Sequence, residues 1–412
     1  MPIAIKLLDL LNPEDPLFRL TNKIDWDHLG KAVGSYCSDD IGRPPIPTRL
    51  MVGLHYLKYL ESLSDEEIVA GFVHNPYWQY FCGREYFEHQ LPLHPTSLTK
   101  WRKKVGLAAV EKLLEETLNI AKREGFCRSK DLQRVNFDTT VQEKNIAFPT
   151  DARLYHKMRR KLVTAAQKRL LSLRQTYERV GQRAFKMQSR YAHARQMNRS
   201  RSQLRKLKGF LGRVVRDIER KYLQPDDQMK SLLILAKRLL EQKKNDHNKI
   251  YSLHAPEVEC IAKGKVNKKY EFGCKVAIAT TSLNNWIVGV NAVHGNPYDG
   301  KTLKSSIDQV ERLCGQRPKE AYVDRGYKGA QYHPDDVDVK IAGTKKKSTS
   351  PTLRKFFKRR SAIEPVIGHV KSDHRMGRNY LLGEIGDRLN AILSGAAFNL
   401  KKILNLIQLQ EV

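Results

Sequence analysis

Three acidic side chains stand where carboxylate chemistry can be done. Asp138 lies in a run in which Val135, Phe137, Thr139 and Val141 alternate with Asn136, Asp138 and Thr140. Period-two alternation predicts a β-strand, with Asp138 on the face opposite Val135 and Phe137. Asp324 closes the apolar run Ala321-Tyr322-Val323 and precedes Arg325-Gly326-Tyr327, where glycine lets the chain turn sharply. Glu364 belongs to a third pattern. Phe357, Arg360, Glu364 and Lys371 follow one another at intervals of three, four and seven residues, which places all four on one stripe of a helix. A plain surface salt bridge would also use Arg360 and Glu364, since an i,i+4 pair is worth about 0.2–0.5 kcal/mol.

Three acids drawn from two strands and a helix are what two hard divalent cations require: converging oxygen ligands with positions left open for water and phosphate. Two Mg²⁺ ions held about 3.5–4 Å apart activate an attacking hydroxyl and stabilise the leaving oxygen of an in-line displacement at phosphorus. Arg360 as a planar fork and Lys371 as a point charge would then hold DNA phosphates.

The charge balance agrees with phosphodiester chemistry. The 412 residues carry 74 Lys+Arg against 44 Asp+Glu, a formal net charge of +30, with 41% hydrophobic residues. Such a chain has enough apolar material for a folded core, and its excess of cations favours a polyanionic partner, nucleic acid first. No run approaches the roughly 20 apolar residues of a spanning helix, and Met1–Pro16 lacks a secretory pattern. No membrane partner and a cytoplasmic location are therefore expected. Cys37, Cys82, Cys127, Cys260, Cys274 and Cys314 are scattered singly, so the spacing indicates neither a disulfide scaffold nor a structural zinc.

The elements that must position these residues fall into three regions. Residues 1–130 are apolar and aromatic, divided by prolines into short helices. Ser64-Asp65-Glu66-Glu67 is a capping box, and Thr96-Ser97 opens a helix bearing Trp101, Arg102, Lys103 and Lys104, a candidate DNA-contacting surface of helix-turn-helix type. The cationic excess is concentrated further on: residues 152–250 hold 28 Lys/Arg against 7 Asp/Glu. Leu204, Leu207, Leu211, Val214 and Ile218 form one helical stripe. Pro225 with Asp226 and Asp227 breaks it and starts a second helix carrying Leu232, Leu233, Leu235, Leu239 and Leu240. A basic helical hairpin over 153–250 is predicted, suited to dimerisation, to a phosphate backbone, or to both. Residues 131–152 and 251–412 supply the strands: the run around Asp138, a hairpin from Phe272–Ile278 to Trp286–Val290, the short run before Asp324, and Val337–Ile341. A helix over Lys301–Cys314, a basic loop at Gly343–Thr352 and a terminal helix with a stripe from Leu389 to Leu404 complete a mixed sheet flanked by helices, an α/β fold.

At these motifs the sequence resembles a known family. Phe357-x2-Arg360-x3-Glu364-x6-Lys371 is similar to the Y-x2-R-x3-E-x6-K signature of bacterial insertion-sequence transposases, with phenylalanine where tyrosine is usual. Val323-Asp324-Arg325-Gly326-Tyr327 resembles their second catalytic block. Asn136–Val141 with Glu143-Lys144-Asn145-Ile146 resembles the first block of the fourth and fifth insertion-sequence families. Pro47-Thr48-Arg49-Leu50 and the run Asn75–Gly83 resemble the domain that precedes it. The resemblance implies an RNase H-like catalytic core with Asp138, Asp324 and Glu364 as the metal-binding DDE triad. It further implies Mg²⁺ (or Mn²⁺) as cofactor and double-stranded DNA, the element's inverted repeats and its target, as partner. An assembly of two or more copies and an activity of DNA cleavage followed by strand transfer complete the expectation. The 186 residues from Asp138 to Asp324 fit such a core when the basic hairpin is an insertion. Thr139, Lys275, His294, Asn296 and Asp299 are weaker candidates around the same site; a loop histidine is commonly just solvated, and an aspartate before a helix is commonly its cap. Two other functions share parts of this pattern: a noncatalytic DNA-binding or repressor remnant, and an RNase H-like nuclease without strand transfer.

Overall fold

Helix-start chemistry is written into the first hundred residues, and the computed structural model follows it. The structure describes residues 6–35, 46–243, 245–262, 269–343 and 350–410. Cys37 and positions 344–349 of the predicted basic loop lie outside the described residues. After α1 (Leu7–Leu10), Asp15 caps α2 (Pro16–Lys23) by accepting from Leu17 and Phe18 N–H, and Asp25 caps α3 (Trp26–Gly34). Next come α4 (Thr48–Leu60) and α5 (Asp65–Phe72), the latter with the predicted Ser64/Glu67 capping box. Then follow α6 (Pro76–Phe81), capped by Asn75, and α7 (Thr96–Arg123), broken at Gly106, whose φ is +70°. The remaining elements in order are β1 (Arg134–Glu143), α8 (Asp151–Lys168), α9 (Glu178–His193), α10 (Met197–Lys221), α11 (Asp227–Glu241), β2 (Glu259–Ile261) and β3 (Glu271–Thr281). They continue with β4 (Ile287–Val293), α12 (Asp299–Cys314), β5 (Glu320–Val323), β6 (Asp338–Ile341), α13 (Pro351–Arg360), α14 (Ile363–Ser372) and α15 (Gly383–Leu409).

These elements form two compact units, residues 1–143 with 274–412, and residues 144–273. In the first unit the strands run in the order β4-β3-β1-β5-β6, with β1–β5 and β5–β6 parallel and β3–β4 the predicted antiparallel hairpin. The mixed α/β architecture is thus that of the sequence reading. Apart from a small cluster of Leu7, Leu11 and Phe18, the helices before residue 124 share the core of the sheet. Leu54, Leu57 and Leu113 share one continuous apolar cluster with Val276 and Ile278 of the sheet and with Leu393, Leu400 and Ile403 of α15. Helix α15 can lie this close because Gly395 carries no side chain: a Cβ there would come within 2.9 Å of Val290 Cγ1. Its buried Asn399 accepts from Ile287 N–H at 3.0 Å and donates to the Ile287 carbonyl at 2.9 Å, satisfying backbone groups at the start of β4.

In the second unit the predicted two-helix hairpin is half of a larger bundle. Helices α8 and α9 join α10 and α11 around Met158, Leu162, Leu207, Leu211, Val214, Ile218, Met229, Leu233 and Leu239. Pro225 and Asp226 act as predicted, Asp226 capping α11 by accepting from Met229 N–H at 3.0 Å. Helix α9 escapes a periodicity reading because its buried positions are the small residues Gly181 and Ala184. Gly181 leaves room for Arg159, whose Nε lies 3.1 Å from where a Cβ would stand and whose Nη1 donates to the Thr176 carbonyl.

The first unit also buries a charge network. Arg102 donates to both oxygens of Asp65, at 2.9 and 2.5 Å, and Lys58 donates to Oδ1 at 2.6 Å. Arg102 Nη1 meets His55 Nε2 at 3.3 Å while His55 Nδ1 bonds the Met51 carbonyl, an arrangement for a neutral imidazole. Burial, then the neighbouring guanidinium, depresses His55 to about 3, and burial lowers Lys58 to about 8. Burial alone would raise Asp65, but Arg102 and Lys58 outweigh it and hold the carboxyl well below its ordinary 3.8. Asp65 contributes its full stabilisation above that value and loses it as the pH falls further. Replacing Asp65→Asn leaves two buried cations unpaired and should cost about 3–5 kcal/mol in urea denaturation at neutral pH, with the gap to wild type closing in acid.

Candidate active site

The parallel pairing of β1 with β5 sets Arg134 against Glu320, Val135 against Ala321 and Asn136 against Tyr322. Carried two residues further, that register puts Asp138 beside Asp324 on one face of the sheet. Asp324 stands where β5 ends, and its Oδ1 accepts from Gly326 N–H at 2.8 Å, so the turn that follows fixes the carboxylate. Asp138 Oδ1 accepts from Thr139 N–H at 2.7 Å.

Glu364 arrives from the other side. The single helical stripe of the sequence reading is divided, because α13 ends at Arg360 and α14 begins at Ile363. The two intervening residues keep right-handed helical backbone angles, so Arg360 still reaches Glu364, at 3.7 Å. The same guanidinium lies 3.5 Å from Asp138 Oδ2. Phe357 sets its ring edge-on to Tyr322 of β5, centroids 5.9 Å apart, and Asn136 donates to the Arg359 carbonyl at 3.4 Å. Lys371 is half-buried near the end of α14. The three acids are near one another without being closed up. Among the described residues, those grouped with ligand atoms within 4.8 Å of one another are Cys274, His294 and Asp387, not the triad.

A fourth carboxylate, Asp299, joins the site. It is the first residue of α12 rather than its cap, and its Oδ1 accepts from Thr139 Oγ1 at 2.9 Å and from Lys275 Nζ at 2.8 Å. Its Oδ2 and Asp324 Oδ1 approach within 3.0 and 2.9 Å of the point a Cβ would occupy on Gly326. Thr139, Lys275 and Asp299 are therefore brought together as a group. His294 is not; it sits 3.5 Å from Asp387 at the far end of β4, and Asn296 lies beyond it with φ +42°. The sequence reading missed Tyr327. Its phenol is buried and pushed well above its ordinary value, first by burial and then by the negative charges of Asp138, Asp299 and Asp324. The only advance signal was its place in Asp324-Arg325-Gly326-Tyr327.

The basic helix of the N-terminal region divides differently from expectation. Trp101 packs against His55 and Arg102 is committed to Asp65, both buried, because this stretch of α7 faces α4 and α5; Lys103 and Lys104 are exposed. In the second unit α8 presents Lys157, Arg160, Lys161 and Lys168 as an exposed stripe, bordering a groove closed by Tyr251, Ser252, Leu253 and His254.

Residues 5–104 match the family model described as Transposase domain (DUF772), and residues 253–400 match the model described as Transposase DDE domain. The chain belongs to the DDE transposases of insertion sequences. It is 48% identical, over 187 residues covering 45% of this chain and 90% of the relative, to "Uncharacterized protein ORF8 in nfe locus" of Rhizobium meliloti. No solved structure matches. Membership of the DDE family implies use of a divalent cation and interaction with DNA. Among the described residues no helix is long and apolar enough to cross a membrane.

Gly326 is the site's most exacting position. A methyl group in Gly326→Ala should displace the Asp299 and Asp324 carboxylates by a few tenths of an ångström or more and lower transposition by about 10²-fold. Affinity for DNA, read by gel shift, should stay near wild type.

Proposed function

We propose that this chain is the transposase of its own insertion sequence, which binds the element's inverted-repeat ends, cleaves a phosphodiester to free a 3′-hydroxyl and joins it to target DNA. The observation that carries this reading is the β1–β5 register, which sets Asp138 beside Asp324 while Arg360 draws Glu364 toward the same pair. A strand order with β1 central, an antiparallel hairpin on one side and two parallel strands on the other supports an RNase H-like core.

The donor set fits a divalent cation of the Mg²⁺ or Mn²⁺ type. Asp138, Asp324 and Glu364 offer only hard carboxylate oxygens, with Asp299 adjoining. Arg360 stands 3.5 and 3.7 Å from two of them, beyond the 2.7–2.9 Å or so of a tight charge-assisted bond, so those oxygens can turn to other ligands. When bound there, such cations activate the attacking oxygen and stabilise the leaving one. The chain supplies the rest. Arg360, released from Asp138, presents its fork to a phosphate, and Lys371 adds a point charge. Phe357 holds α13 against Tyr322 by ring packing, with no hydroxyl to offer. Lys275 fixes the Asp299 carboxylate and balances its charge.

DNA would be gripped away from the reacting phosphate by Lys103 and Lys104 in the N-terminal region and by the cationic stripe of α8, while Trp101 and Arg102 hold the helix that bears the first pair. The helical bundle is the candidate for joining two copies when two ends are held together, in the cytoplasm of a bacterium.

Replacing Asp138→Ala or Glu364→Ala should abolish Mg²⁺-dependent strand cleavage with DNA binding largely intact; cleavage retained in both would remove the triad assignment. A wild-type chain that binds ends but never nicks them would be a repressor remnant, and one that nicks without a joined product would be a nuclease. For the bundle, reversing Lys157→Glu and Lys161→Glu together should weaken DNA affinity about equally for all sequences. It should also flatten the slope of log affinity against log salt by nearly two.

A further inference from the structure

The sheet face opposite Lys275 carries a second cluster that the carboxylate site does not use. Residues 274 and 275 are successive on β3 and so point to opposite faces. Lys275 turns to Asp299, whereas Cys274 turns toward α15. The β3–β4 register pairs Lys275 with Val293, and one step on it sets Cys274 across from His294. Asp387, in the first turn and a half of α15, closes the group from above. A sulfur, an imidazole nitrogen and a carboxylate oxygen of these three residues all lie within 4.8 Å of one another.

The spacing is that of ligands around one ion. His294 Nε2 and Asp387 Oδ2 are 3.5 Å apart, long for a charge-assisted hydrogen bond. Bonds of about 2.0–2.2 Å at a tetrahedral zinc place a nitrogen and an oxygen ligand roughly 3.4 Å apart. The surrounding side chains hold the ligands in that pose. Asn379 donates to the outer oxygen of Asp387, Oδ1, at 2.6 Å, leaving Oδ2 turned to His294. Gln142 of β1 points its amide N–H group at Cys274 Sγ, 3.7 Å away, and at the Asp387 carbonyl, 3.0 Å away. Its own oxygen accepts from Asn390 at 2.8 Å, which fixes the amide's orientation. Hydrogen bonds of this kind, here to Cys274 and Asp387, orient metal ligands. Cys274 and Asp387 are buried, and His294 keeps only 12% of its side chain exposed.

We propose that Cys274, His294 and Asp387 form a zinc site that fastens the β3–β4 hairpin to α15, with water in the fourth position. A thiolate with an imidazole selects zinc over magnesium, which takes oxygen ligands and keeps its waters. The site is separate from the catalytic acids, so its test needs no cleavage assay and stands whether or not the proposed transposition chemistry does.

The full chain, purified without a histidine tag, is analysed for metal by mass spectrometry and then reconstituted with Co²⁺ after chelation. Stoichiometric zinc and a thiolate-to-cobalt charge-transfer band are expected. The band should vanish in Cys274→Ser and persist in Cys260→Ser. Gln142→Ala, which keeps all three ligands, should bind the metal about 10–100-fold more weakly. Substoichiometric zinc without a thiolate band in the wild type overturns the proposal, as does a band that survives in Cys274→Ser. The wild-type measurements decide it even where a ligand variant fails to fold.

Discussion

Carboxylates gathered at one end of a sheet repel one another, and the first unit is built to contain that repulsion. Asp138, Asp324 and Asp299 share one end of the sheet, with Glu364 approaching from α14. Each is restrained by something local: a backbone N–H for Asp138 and Asp324, an ammonium and a hydroxyl for Asp299, a guanidinium between Asp138 and Glu364. Tyr327 adds a neutral hydroxyl in their midst, kept neutral by burial and by the acids themselves. The low exposure of Arg360, 12%, makes its charge count for more than a surface arginine's would.

This restraint depends on strands that do not move, and the packing behind the sheet supplies that. Helix α15 is the central support, with buried residues along its length from Gly386 to Ile407. It touches β4 through Gly395, bonds the backbone of Ile287 through Asn399, and reaches Thr117 of α7 through the same amide. The N-terminal helices are therefore part of the same core as the sheet, and their own rigidity comes from the Asp65–Arg102–Lys58 network as much as from apolar contact. A buried network of this sort contributes orientation more dependably than it contributes stability.

The strands other than the three-residue β2, with α12 and α15, were legible in the sequence because their apolar residues repeat with the period of the element that carries them. The Ser64 capping box and the Pro225–Asp226 break were legible because backbone groups at helix ends need those residue types. What was hidden has physical reasons too. Helix α9 buries glycine and alanine, so it has almost no apolar stripe to detect. Trp101 and Arg102 share a helix with exposed lysines, and only tertiary packing decides that one face is interior and pairs with Asp65. The interruption between α13 and α14 leaves side-chain spacing nearly unchanged, so a continuous stripe and a divided one look the same along the chain. Cys274, His294 and Asp387 are joined by strand pairing and by a helix more than ninety residues further on, a distance across which no local spacing rule operates.

The second unit leaves one strand and returns on another with its two ends already tied, Lys144 N–H donating to the Phe272 carbonyl at 2.8 Å. A segment clamped at its base has paid most of the entropy of closing its loop, and further lengthening adds only slowly to that cost. The helices between those ends are thus a cassette: turns can be added, trimmed or exchanged there without shifting any rung of the ladder that carries Asp138 and Asp324.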